Sequence, residues 1–141
     1  MSNRNDIFTQ INNAVLDLQA AQHQTFERPL KALARLLQNE EFTPINAQLM
    51  EGLDLDAFLK ENDCASGMIG SATIDWPEDP KKSMGYILLL IQKFAAEPKF
   101  MTDFGYYYYH SDNKLISGIR FITGQMIIPF IRDYKMFVEN K

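Results

Sequence analysis

Two stretches of this chain carry an apolar stripe at helical spacing that outruns an ordinary globular helix. Each contains one proline at which the stripe slips by a residue: the first runs from about Asp6 to Gln38 around Pro29, the second from about Asp112 to Glu139 around Pro129. Ile7, Ile11, Ala14, Leu18 and Ala21 alternate steps of four and three, and the seam resumes as Phe26, Leu30, Leu33 and Leu37. Leu115, Ile119, Ile122 and Met126 repeat the pattern, followed by Phe130, Tyr134 and Phe137. One-sided periodicity of this kind marks helices buried along a stripe, and two of them point to an all-α helical bundle. Proline removes a backbone hydrogen bond and crowds the preceding turn, so each long helix is expected to kink at its proline.

The two kinked helices need something to pack around. Asp79-Pro80, a cap followed by proline at a first helical position, opens a helix to about Ala96. Met84, Ile87, Leu88, Leu90, Ile91, Phe94 and Ala95 leave it little polar circumference, the pattern of a helix buried between others. It is read as the central helix, with both bends side by side around it. Thr43-Pro44 starts a short helix that Gly52 closes, and Asp54 caps another through about Asn62. Glu97-Pro98 breaks the chain before a three-turn helix to Tyr109, and Ser111 caps the last long helix. Between Asp63 and Pro80 the helical signal disappears, and Gly67, Gly70, Pro77 and Pro80 punctuate what is read as one ordered loop with strand-like backbone. At 141 residues, the whole chain, 1–141, is expected to form one domain.

Composition narrows the function. Hydrophobic residues at 46% and charged residues at 23% exclude a largely disordered chain. Fourteen basic residues against eighteen acidic ones give a formal charge of −4, and no Lys or Arg stripe emerges, which disfavours nucleic acid as the main partner. One cysteine, Cys64, rules out an internal disulfide and suits a reducing compartment. The start lacks the basic region and apolar stretch of a signal peptide. The longest uncharged apolar run, Met84 to Ile91, is far short of the roughly 20 residues that a bilayer requires. A cytoplasmic, unanchored protein is expected, with no membrane contact.

Tyr106, Tyr107, Tyr108, Tyr109 and His110 are consecutive, so on a helix they point around at least a full turn and cannot all be buried. Tyrosine suits interfaces because its apolar ring ends in a hydroxyl that tolerates water, so this run is the leading candidate surface, although packing in the core is the commoner fate of such residues. Trp76 joins it, flanked by the polar loop residues Asp75, Glu78 and Asp79. Those carboxylates could line a ligand site, but caps at a helix start are their more ordinary use, and their spacing is not that of a calcium loop.

Catalytic patterns do not assemble. His110, Ser111 and Asp112 are neighbours in the chain and splay apart, so they cannot form a relay. Gly67 and Gly70 are two residues apart without a following lysine, which departs from a phosphate-binding loop. Cys64, His23 and His110 supply no paired zinc spacing. No arginine precedes either histidine at the short gap of a HEPN ribonuclease. No catalytic residue, metal or cofactor is assigned, and the reading leans away from an enzyme.

Gly70-Ser71-Ala72, Trp76-Pro77, Leu89-Leu90-Ile91-Gln92-Lys93-Phe94-Ala95 and Pro129-Phe130-Ile131-Arg132-Asp133-Tyr134 together resemble a poorly characterised bacterial helical accessory domain. That domain occurs alone or joined to others in mobile-element and phage-defence settings, and the resemblance covers about residues 5 to 139. It implies an accessory or regulatory module and transfers no catalytic motif. The expected function is therefore non-catalytic protein–protein interaction, with a partner protein or with a second copy as a homodimer. The alternative is a small-molecule binder or enzyme whose aromatic-lined pocket lies between helices near Trp76 and the Tyr106–His110 run.

Overall fold

Asp79 and Pro80 start a helix for the reason their order suggests. The Asp79 carboxylate accepts the Lys81 N–H at 3.0 Å, and proline costs nothing where the backbone N–H has no helical partner. The computed structural model describes residues 3–22, 24–62, 76–109 and 115–140, with residues 3, 4, 61, 62, 105–109 and 115–117 described by backbone alone. In chain order the helices are α1 (Asn3–Ala20), α2 (Glu27–Leu37), a 3-10 turn (Glu40–Phe42), α3 (Thr43–Met50), α4 (Leu55–Asn62), α5 (Pro80–Ala96), α6 (Pro98–Tyr109) and α7 (Leu115–Ile122). A π turn (Thr123–Ile127) then leads into α8 (Ile128–Glu139). Among the described residues there is no strand, so the fold is all-α.

The central role of α5 holds. Met84, Gly85, Leu88, Leu90, Ile91 and Phe94 are buried on it, and it packs against α2, α3, α4, α6 and α8. Gly85 explains how α3 comes so close: a methyl group there would land on the Leu49 carbonyl oxygen and the Leu53 side chain. Gly52, at φ +74°, takes the left-handed conformation that glycine adopts without steric cost. It turns the chain from α3 toward α4, where the Asp54 carboxylate accepts the Ala57 N–H at 3.1 Å.

The first stripe is not one helix kinked at Pro29. It is two helices, α1 and α2, that fold back on each other through 21–26. Thr25 ties this reversal, its hydroxyl oxygen accepting the Gln22 N–H at 3.0 Å while its own N–H donates to the Gln22 carbonyl at 3.0 Å. Pro29 lies in the first turn of α2, where its missing N–H removes no helical bond. The apolar periodicity persists because both halves face the same core, with Leu18, Phe26, Leu30 and Leu33 all buried.

The second stripe does stay continuous, from α7 into α8, and it bends differently from a simple proline kink. Its described part holds a π turn just ahead of Pro129, in which the Ile128 N–H reaches back to the Thr123 carbonyl. A π turn inserts one residue into the helical register, and that insertion is the one-residue slip in the apolar stripe. It also relieves the clash between the proline ring and the preceding turn. The two interruptions lie near each other: Arg120 donates to the Ala21 carbonyl at 3.3 Å, where α1 ends. They do not form matched bends around α5, because the first is a hairpin and only its second arm, α2, is a principal neighbour of α5.

A contiguous apolar cluster draws on α1, α2, α3, α5, α6, α7 and α8. Phe8, Phe42, Phe130 and Tyr134 meet at its heart, with Phe8–Phe42 centroids 5.4 Å apart and Phe42–Tyr134 edge-to-face at 5.5 Å. One polar chain crosses it: the Tyr134 hydroxyl donates to Asn46 Oδ1 at 2.5 Å, and Asn46 Nδ2 donates to the Leu37 carbonyl at 2.8 Å. Leu37 ends α2, so Asn46 satisfies a terminal carbonyl that has no helical donor. Three helices are thereby fastened by two buried hydrogen bonds.

Candidate functional site

Trp76 stands at the junction of two surface clefts. The Ser83 hydroxyl donates to the Pro77 carbonyl at 2.9 Å, which pins the segment before α5 onto the first turns of that helix. The Trp76 ring lies against Phe58 of α4 at 5.5 Å and 31°, and Phe58 stacks on Tyr86 of α5 at 4.1 Å and 16°. This aromatic ladder joins the segment, α4 and α5, while Trp76 itself remains half-exposed.

Two open clefts meet at Trp76 and Glu78. The first, of about 400 Å³, lies between α5 and the π turn and α8, with Met84, Ile87, Met126, Pro129 and Phe130 as its apolar walls and Asp133 at its edge. The second, of about 660 Å³, lies on the other side, between the α3–α4 connection and α5, and includes Glu51, Phe58, Lys82 and Tyr86. Three carboxylates therefore face the two clefts against one ammonium group. Neither Glu78 nor Asp133 is in an ion pair among the described residues, where the two ion pairs are the exposed Lys31–Glu27 and Lys93–Glu97 contacts.

The residues singled out from the sequence divide clearly. Trp76 and Glu78 line the clefts. Asp79 is a helix cap, as its position before Pro80 implies. Asp75 and His110 lie outside the described residues, as do Cys64, His23 and the Gly67–Gly70 turn. Tyr106, Tyr107 and Tyr109 are on α6, whose backbone is helical through Tyr109, and their side chains are outside the described set. Among the described residues no group of three or more His, Cys, Asp or Glu could hold a metal ion, and no helix is long and apolar enough to cross a membrane.

Sequence reasoning missed Asp133, Tyr86 and Phe58 as neighbours of Trp76. Phe58 lies on a short helix and Asp133 on the last one, far from Trp76 in the chain. Only the packing of α8 on α5 brings residues near 80 and near 130 to one cleft. The Asn46–Tyr134 bond was equally hidden, since nothing local links residues 88 positions apart. It leaves Tyr134 a poor acid: burial pushes its hydroxyl far above the ordinary tyrosine range, and the Asn46 contact offsets only part of that rise. Tyr134 is a structural hydroxyl at neutral pH.

The chain is similar to the protein of Escherichia coli strain K12 described as "Uncharacterized protein YuaY", with 42% identity over 137 residues. The match takes in 96% of this chain and 46% of that protein, so the chain spans just under half of the relative's length. No family model matches it. No solved structure matches it either.

Proposed function

We propose that this chain is a non-catalytic protein-interaction module that works as an accessory or regulatory part of a bacterial cytoplasmic system, with a mobile-element or defence setting as the context its sequence resemblance suggests. The observation that carries this reading is Trp76, a large aromatic held half-buried by its own hydrogen-bonded segment between two open clefts, the first of them mainly apolar and the second mainly polar. Aromatic anchors of this kind are enriched where proteins bind one another. The relative lends support of a different sort: there, a stretch of the same length makes up less than half of a longer protein, as a module would.

The test is association. Light scattering of the purified chain at high concentration, with native capture from its host, should show either a second copy or a defined partner, and Trp76→Ala should weaken whichever is found. A strictly monomeric chain that retains nothing would refute the reading.

A small-molecule site is the second reading, favoured by the 400 Å³ cleft, whose size falls within the range of ligand pockets. Ligand profiling by mass spectrometry, with a thermal shift that Trp76→Ala abolishes, would favour it. No bound species and no shift across metabolite panels would exclude it.

A further inference from the structure

The first cleft combines apolar walls with acidic edges. Its walls are apolar and adaptable: Met84 and Met126 are unbranched and polarizable, and they face Ile87 and Phe130. Its edges carry Glu78 and Asp133, two carboxylates with no ion pair among the described residues. Two unpaired carboxylates beside apolar surface set up a local negative potential. A cation seated there is attracted by both, and salt screens that attraction because both carboxylates are exposed. The chain's formal charge of −4 acts in the same direction, steering basic partners toward it.

We propose that this cleft docks a short segment of a partner protein in which one large apolar side chain lies about a helical turn from a Lys or Arg. The apolar side chain packs between α5 and α8 against half-buried Ile87 and Pro129, over a floor formed by buried Met84, Met126 and Phe130, and the cation reaches Glu78 and Asp133. Trp76 forms the end wall and covers the segment as it leaves the cleft. The inference rests on the interaction reading above and adds to it the chemistry of the partner.

The test is selection of a random dodecapeptide phage library on the immobilised full chain, followed by fluorescence polarisation with the enriched peptides. The enriched sequences should pair Leu, Met, Phe or Trp with Lys or Arg three or four positions away. Affinity should fall as salt is raised. Glu78→Lys combined with Asp133→Lys should weaken binding by about tenfold or more, mostly through the association rate. Both residues are exposed, so the folded state tolerates the change; Glu78→Gln with Asp133→Asn should give a smaller loss in the same direction. Enriched peptides without basic residues, no enrichment, or affinity untouched by the double reversal would overturn the inference. If the chain nonetheless self-associates or holds a partner through another face, the module reading survives and this one does not.

Discussion

Replacing Tyr134 by phenylalanine removes one oxygen from a fully buried side chain and leaves Asn46 Oδ1 without its donor. Asn46 is itself buried, so water does not replace the lost partner. An orphaned polar atom of this kind costs about 1–3 kcal/mol, with about 2 kcal/mol as the central value. The effect carries a pH signature. The unfolded chain releases the Tyr134 proton near pH 10 whereas the folded chain holds it well above that value. Above pH 10 the folded state therefore binds more protons than the unfolded one, and stability is lost as pH rises, by up to about 1.4 kcal/mol per unit for this group. Urea unfolding followed by far-UV circular dichroism should show the wild type ahead by about 2 kcal/mol at neutral pH. That advantage should shrink above pH 10, because the variant lacks the group. Equal stability at neutral pH, or an advantage that stays constant between pH 8 and 11, would refute the reasoning.

Gly85→Ala should destabilise the fold by about 1–3 kcal/mol, since the new methyl meets the α3 backbone rather than a movable side chain. Gly124→Ala should be neutral or mildly stabilising, because only Gln19 Nε2 comes near, at 3.9 Å; thermal denaturation of the pair gives the contrast directly. Asp79→Ala removes the α5 cap and should cost about 1 kcal/mol in urea unfolding, with Asp79→Asn restoring most of it. Ile91→Ala, at a fully buried position of the central helix, should cost about 2–5 kcal/mol, enough to lower the midpoint of thermal unfolding by many degrees.

The helix starts were legible because their causes are local. Asp54 and the Asp79-Pro80 pair announce caps within a few residues, and Gly52 marks a turn that only a small residue takes without strain. The apolar stripes named core residues correctly from Ile7 to Leu37 and from Ile119 to Tyr134. They misled on continuity, because a stripe has the same period whether a helix goes straight on or doubles back. The fold-back at 21–26 has no glycine or proline to announce it, and Thr25 bonds to Gln22 there, whereas Pro29, the visible breaker, lies where a helix accepts proline freely. Around Pro129 the slip of the stripe was visible but its cause, a single inserted residue in a π turn, was not. Trp76 was legible as an isolated large aromatic in a polar segment. Its neighbours Phe58, Tyr86 and Asp133 were not, because tertiary packing alone joins them.

Hydroxyl-radical footprinting of the chain in native host extract, compared with the purified chain, tests the central claim most directly. Met and Trp are readily labelled side chains: half-buried Trp76 reports on the clefts, while exposed Leu16 and Met136 serve as references elsewhere. The interaction account predicts that Trp76 is protected in extract, with Leu16 and Met136 unchanged. Identical labelling in both preparations, or protection confined to Leu16 and Met136, would contradict it.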